Sequence, residues 1–136
     1  MRYLTVLLLL VLAVPASAQT DVAWETLAQV KLVRSDARFV PEFEQQVRSL
    51  AGQSVKVEGF MLPLEQAAEQ AHFILSAFPV ANCFYCMPGG PEAMIEVRLG
   101  GPIAFSYDPL TVSGTLELLE DDPMGMYYRL VDAKTE

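Results

Sequence analysis

The chain has 136 residues, 52% of them hydrophobic, and its 9 Lys and Arg against 17 Asp and Glu give a formal charge of −8. This excess of negative charge argues against electrostatic binding to nucleic acid or to anionic lipid. The length allows one ordinary domain and not two.

The first eighteen residues have the pattern of a secretory signal peptide. Arg2 supplies a positive start, residues 4–14 are almost unbroken Leu and Val, and Ala16-Ser17-Ala18 is a small-residue cleavage pattern. The apolar run is too short to cross a membrane. We therefore expect export to the periplasm with cleavage between Ala18 and Gln19. The mature chain then has 136 − 18 = 118 residues, no transmembrane segment and, without Arg2, a charge of −8 − 1 = −9.

An N-terminal amphipathic helix is predicted over residues 41–51. Its apolar stripe consists of Phe43, Val47 and Leu50. Pro41 suits the first helical turn, where its missing N–H would have no partner, and Gly52 suits the C-terminal cap. Before this helix, Trp24 and Leu27 are the expected core anchors.

Five β-strands are predicted after the helix, because apolar side chains alternate with polar ones and Pro- and Gly-rich turns separate the runs. The predicted strands cover residues 54–62, 72–78, 93–99, 110–119 and 126–133. Gly59 and Gly114 lie inside two of these strands, where glycine usually marks a bulge or a sharp bend. This pattern favours a mostly β domain over residues 19–136 that forms a five-stranded OB-like barrel. The alternative is an open antiparallel sheet with a helix on one face.

Both cysteines of the chain, three positions apart, lie in the segment Asn82-Cys83-Phe84-Tyr85-Cys86-Met87-Pro88-Gly89-Gly90-Pro91. In an exported protein, a disulfide between Cys83 and Cys86 is the simplest interpretation. A disulfide that closes a loop of about four residues stabilises a protein by only about 2 kcal/mol. Stability is therefore a weak reason for this pair.

A metal site is a second interpretation of the pair. Two thiolates, those of Cys83 and Cys86, supply half of a tetrahedral zinc shell, and together with Met87 they also suit Cu(I). Glu92, a backbone group, Met87 or a second subunit would complete the shell. The only histidine, His72, lies on a predicted strand about 20 Å long, so we do not expect it to reach the cysteines. Haem is excluded because Met87 stands where the Cys-x-x-Cys-His motif needs His, and no nucleotide-binding fingerprint occurs.

Two further functions remain open for the same segment. In a thiol–disulfide protein, Cys83 would be the attacking thiol, but residues 87–91 cannot continue as the helix that such a cysteine needs. In a structural docking module, Phe84 and Tyr85 would contact a partner while the cysteines hold the shape of the segment. An enzyme is the less favoured class.

Several motifs along the mature chain match one family. They are Trp24-x-x-Leu27, Val47-x-x-Leu50-Ala51-Gly52, Val55-Lys56-Val57-Glu58-Gly59-Phe60-Met61-Leu62-Pro63-Leu64, Phe73-Ile74-Leu75, the Cys83 segment, Ile95-Glu96-Val97 and Val112-Ser113-Gly114-Thr115-Leu116. By these motifs the chain resembles the exported bacterial proteins grouped as domain of unknown function 3299, over nearly all of its mature length. The resemblance implies a small periplasmic or lipid-anchored protein with an OB-like β fold and no established activity. It also implies an association with membrane transport components, including ones linked to zinc, because some relatives are encoded beside them.

The resemblance also bears on the cysteine segment. The family segment often reads Cys, one residue, His and then prolines; here Cys83 matches the Cys, Tyr85 stands at the His position and Cys86 follows. We therefore expect an exported binding or accessory protein that presents Cys83 and Cys86 to a transition metal or to a membrane transport component. Phe84, Tyr85 and Met87 are the candidate partner contacts.

Overall fold

The computed structural model describes residues 18–79 and 89–136, and most of these residues lie in β-strands. In chain order the elements are β1 (Thr20–Asp21), α1 (Trp24–Leu27), β2 (Val30–Ser35), β3 (Arg38–Phe43), α2 (Gln45–Arg48), β4 (Ser54–Pro63), β5 (Glu69–Ser76), a 3-10 turn (Pro91–Ala93), β6 (Met94–Ala104), β7 (Leu110–Leu118) and β8 (Tyr128–Thr135). Within these two ranges no helix is long and apolar enough to span a membrane.

Five of the strands close into a barrel. Strands β4, β5 and β6 form an antiparallel meander, β6 pairs in parallel with β8, and β7 pairs antiparallel with both β8 and β4. This closed order, with one parallel pair, is that of a small Greek-key barrel of the OB type. The predicted OB-like fold is therefore confirmed, and the alternative of an open sheet is wrong.

The alternating apolar residues of the barrel strands point inward and form one core. Its fully buried members include Val55, Val57, Phe73, Leu75, Ile95, Val97, Val112, Leu116, Tyr128 and Leu130. These are the faces that the period-two pattern predicts, because successive side chains of a strand point to opposite faces of the sheet. The bounds differ at the ends: β5 begins three residues before the predicted position and β6 runs on to Ala104.

Both strand-interior glycines stand where backbones approach closely. A Cβ atom on Gly59 would lie 2.6 Å from the carbonyl oxygen of Ser76, and one on Gly114 would lie 2.9 Å from that of Val131. Gly59 is also where β4 leaves β7 and begins to pair with β5, and Gly114 coincides with a register shift between β7 and β8. Both glycines therefore mark a change in strand pairing.

The predicted helix over residues 41–51 is wrong in its first part. Residues 41–43 belong to β3, which pairs antiparallel with β2, and α2 is confined to four residues. The hairpin turn lies at Asp36, whose φ is 53°. The proline of β3 is tolerated because, among the described residues, β2 and β3 pair only with each other and both are edge strands. The predicted burial of Phe43 and Val47 is correct, since both lie in the core.

The N-terminal segment is fastened to the barrel by the two predicted anchors. Leu27 is fully buried, and Trp24 packs against the core while its indole Nε1 donates a hydrogen bond to the carbonyl oxygen of Glu58, at 2.8 Å. The hydroxyl of Tyr128 donates to the carbonyl oxygen of Leu27. Strand β1 adds a short parallel pairing with β4. The segment before the barrel is thus part of the same core.

Candidate functional site

The predicted site residues lie outside the described residues. They are Cys83, Phe84, Tyr85, Cys86 and Met87. The structure does describe both ends of the connection between β5 and β6 that contains them. The backbone N–H of Ala77 donates to the carbonyl oxygen of Ala93 at 3.0 Å, one step beyond the last strand pair. The chain therefore leaves β5 and enters β6 at the same end of the barrel.

Glu92, proposed from the sequence as a further metal ligand, lies in the 3-10 turn at the foot of this connection. Burial raises the pKa of Tyr127, and the negative charge of Glu92 raises it further. The negative charge of Glu92 is therefore close enough to affect Tyr127, in the segment that leads into β8. Over residues 18–79 and 89–136, no group of three or more His, Cys, Asp or Glu side chains is arranged to hold a metal ion.

His72 lies in β5, four residues before the end of the strand that leads to the cysteine segment. Its imidazole Nε2 is 2.7 Å from Oε1 of Glu96 on the neighbouring strand β6. Four residues of β-strand span about 13 Å, so His72 stands well back from the strand end. The sequence-based expectation that it does not join Cys83 remains a prediction, because Cys83 is not among the described residues.

Glu96 is the centre of a charged cluster on the outer face of the barrel, and its side chain is only 2% exposed. Besides His72, its Oε1 accepts hydrogen bonds from Nε and Nη2 of Arg98, at 3.1 and 3.0 Å. Its Oε2 accepts a short hydrogen bond from Nε of Arg129 on β8. A buried carboxylate is costly without partners, and three basic side chains supply them here.

The cluster continues from Arg129 into the connection between β7 and β8. Nη2 of Arg129 donates to Oδ1 of Asp122 at 3.2 Å, and its Nη1 lies 3.7 Å from Oε2 of Glu117. The other carboxylate oxygen of Asp122 accepts from the backbone N–H groups of Met124 and Met126, at 3.0 and 3.1 Å. One arginine therefore ties this connection to the centre of the sheet.

The pKa of Glu96 lies below its ordinary value of 4.5. Burial alone would raise it, but hydrogen bonds from Arg129, His72 and Arg98 lower it by more. Burial lowers the pKa of Arg129, and its bond and charge interaction with Glu96 outweigh this and raise it. Both groups are therefore charged at neutral pH, and they form an ion pair between β6 and β8.

An apolar patch lies beside this cluster on the same outer face, towards the end of β5 that leads out at Ala77. It consists of the buried residues Leu62, Ile74, Met94 and Met126, with Leu119 packed against them. Ile74 pairs with both Leu62 and Glu96 across β4, β5 and β6, so patch and cluster are continuous. Two of its four buried members carry thioether sulfur, and Met94 directly follows the 3-10 turn. Soft side chains thus lie on the face at the foot of the cysteine segment.

A family profile described as a protein of unknown function, DUF3299, matches residues 14–133. The chain belongs to the DUF3299 family. Its fold is similar to the crystal structure of a DUF3299 family protein from Pseudomonas aeruginosa PAO1, with a TM-score of 0.59 and 17% identity. The alignment covers 88% of this chain and 97% of that one. At this identity the likeness shows the fold alone. No curated protein matches the chain in sequence.

The charged cluster of this DUF3299 protein was not identified from the sequence. The period-two pattern places Glu96 and Arg98 on the outward face, which is correct, but it gives no sign that Glu96 is buried there. Its main partner, Arg129, comes from β8, and the parallel pairing of β6 with β8 cannot be read from periodicity. Asp122 lies in the connection before β8, and its side chain is almost fully buried against Arg129. The only sign of the cluster in the sequence is that acidic and basic residues occupy outward positions on two of the predicted strands.

Proposed function

We propose that this DUF3299 protein is exported to the periplasm and serves there as a binding or accessory protein. In this proposal Cys83 and Cys86 hold Zn or Cu(I), or present a docking surface to a membrane transport component. The observation that supports it is the geometry of the β5–β6 stem. Ala77 and Ala93 are hydrogen-bonded to each other, and the thioether of Met94 lies at the foot of the stem.

The surroundings of the stem favour a soft metal. Thiolate and thioether ligands select Cu(I) and also suit Zn, unlike the hard cations that prefer oxygen. The stem is held by strand pairing and, further along β5 and β6, by the contact between His72 and Glu96.

The proposal of export has its own support. The first strand begins at Thr20, which pairs with Val55 of the barrel, so cleavage between Ala18 and Gln19 would leave every described strand intact. The test is the intact mass of the protein recovered from periplasmic extract. We expect a single species that begins at Gln19. Recovery of a chain that retains residues 1–18, in the cytoplasmic fraction, would contradict export.

The metal proposal is tested by native mass spectrometry of reduced protein, with one equivalent of Zn or Cu(I) added. We expect a one-to-one complex, and we expect the double variant Cys83→Ser, Cys86→Ser to lose it. Met124→Ser is the matched control, because it removes a sulfur from an exposed loop side chain. Oxidation of both thiols, with no metal uptake after reduction, would contradict the metal role.

The same variants separate the other functions of this segment. If the double-serine variant keeps full biological activity, neither metal binding nor thiol exchange explains the function, and docking through Phe84 and Tyr85 remains. If a disulfide forms, its reduction potential distinguishes a structural bond from an exchanging one. An exchanging bond has a high potential, whereas a structural bond in a secreted protein resists reduction, below about −300 mV.

A further inference from the structure

A concave site lies at the end of β5 that is remote from the cysteine segment. It is an open pocket between the connection of β4 to β5, residues 64–68, and the connection of β6 to β7, residues 105–109. The pocket has a volume of about 510 Å³, and its main walls are formed by Pro63, Leu64, Glu65, Gln66, Phe105 and Tyr107. This volume falls within the range of small-molecule sites in proteins, about 300–1,000 Å³.

Both loops of the pocket are held by hydrogen bonds. The buried side-chain amide of Gln70 donates from Nε2 to the carbonyl oxygens of Glu65 and Ala67, at 3.0 and 2.8 Å. The backbone N–H of Phe105 donates to the carbonyl oxygen of Ala68 at 3.0 Å and so joins one loop to the other. A pocket that is already ordered loses less conformational entropy when it binds a ligand.

The walls of the pocket combine aromatic, aliphatic and acidic groups. Tyr107 is 71% exposed, and its ring meets that of Phe105 edge to face with centroids 4.7 Å apart. Leu64 is a second exposed apolar side chain of this site, and Glu65 adds a carboxylate. The residues that line the pocket include no Lys, Arg or His. An exposed aromatic face beside a carboxylate binds cations through cation–π attraction and charge-assisted hydrogen bonds.

We propose that this pocket binds a cationic group on an apolar stem: the guanidinium or ammonium of an Arg or Lys side chain in a peptide, or a free amine of the same chemistry. The stem lies against Leu64 and Phe105, and the head group lies between Tyr107 and Glu65. The formal charge of −8 on the chain favours the approach of such a ligand. Because the eight residues of β5 separate the pocket from the cysteine segment, this proposal does not depend on metal binding.

The experiment is an amide NMR titration of the mature protein with the peptide acetyl-Ala-Arg-Ala-amide. We expect shift changes at residues 64–67 and 105–107. The same peptide with citrulline, a neutral analogue of arginine, should bind about tenfold more weakly, since it loses the cation. Agmatine, a free amine with the arginine head group, forms the third arm: equal affinity for agmatine indicates a small amine, and weaker affinity indicates a peptide. Equal binding of the citrulline peptide would overturn the proposal.

Two variants test the walls. Tyr107→Ala and Glu65→Gln should each weaken binding of the arginine peptide about tenfold, because each removes one partner of the cation. The matched controls are Phe39→Ala, an aromatic of β3 that is 69% exposed, and Glu25→Gln on α1. Both controls should bind as the wild type does. No shift change at residues 64–67 and 105–107, or an equal loss in the controls, would overturn the proposal.

Discussion

Glu96 and Arg129 stand opposite each other in the parallel pairing of β6 with β8, and Nε of Arg129 donates a hydrogen bond to Oε2 of Glu96. This pairing joins the β4–β6 meander to the β7–β8 hairpin and thereby helps to close the barrel. The ion pair therefore lies across a seam between two parts of the chain that are distant in sequence. His72 and Arg98 contact the same carboxylate through their side-chain nitrogens.

Replacement of Glu96 by Gln should destabilise the protein, because the neutral side chain keeps the size but leaves Nε of Arg129 without its carboxylate partner. We expect a decrease of about 2 kcal/mol in the free energy of unfolding, measured by urea denaturation. Glu117→Gln is the control, because its carboxylate is 46% exposed and 3.7 Å from Arg129. That variant should change the free energy by less than about 0.5 kcal/mol. Equal losses would contradict a special role for Glu96.

The contribution of Glu96 should also depend on pH. Its pKa is lower in the folded protein than the ordinary value of 4.5 that applies to the unfolded chain. The folded state therefore binds fewer protons, so the stabilisation is complete above the ordinary value and is lost as the pH falls through the folded pKa.

The measurement is the difference in Tm between proteins with and without Glu96→Gln. Both proteins carry His72→Gln, so that protonation of the imidazole does not enter the comparison. We expect the difference to be constant above about pH 5 and to shrink towards zero in more acidic buffer. A difference that persists undiminished at about pH 2 would show that the ionised carboxylate is not what stabilises the fold.

The barrel was predictable because its strands bury one face each. Val55 and Val57, or Ile95 and Val97, alternate with polar residues, and a period of two has few other physical explanations. The glycines at positions 59 and 114 were informative for a related reason. A strand interior accepts glycine mainly where another backbone comes close.

The errors have physical causes as well. Phe43 and Val47 are both buried, so the apolar spacing over residues 41–51 is real, but one lies in β3 and the other in α2. Pairing of β2 with β3 overrides the local helical pattern. The hairpin was missed because the turn residue Asp36 is followed by Ala, whereas Asp followed by Gly is the usual sign of a tight hairpin. The pairing of Glu96 with Arg129 depends on strand order, which local patterns do not contain.

Gly59→Ala should destabilise the barrel by about 2 kcal/mol, because the added methyl group would overpack a closely approached backbone. Its Cβ would lie 2.6 Å from the carbonyl oxygen of Ser76 and 2.9 Å from Cγ of Leu75, and the carbonyl cannot move without separating β4 from β5. Gly100→Ala is the control, since a Cβ there meets nothing within 4 Å. Urea denaturation of the two variants makes the comparison. If Gly59→Ala unfolds at the wild-type midpoint, β4 does not need glycine at its change of partner.

Tyr128→Phe should loosen the N-terminal segment from the barrel. The ring of Tyr128 is fully buried, and its hydroxyl donates to the carbonyl oxygen of Leu27 at the end of α1. Burial, followed by the charge of Glu92, raises the pKa of this hydroxyl, so it remains a donor throughout the neutral range. Removal of the hydroxyl leaves a buried carbonyl with one partner fewer and should cost about 1 kcal/mol.

The measurement for Tyr128→Phe is amide hydrogen exchange combined with urea denaturation. The amide of Ala28, which donates to the carbonyl oxygen of Trp24, should exchange faster. The exchange rates of amides in the β4–β7 pairing should change only as much as the global free energy of unfolding changes. Tyr107→Phe is the control, because that hydroxyl belongs to an exposed side chain. If the amide of Ala28 changes no more than those of the barrel, the bond to Leu27 supports the whole core and does not fasten α1 in particular.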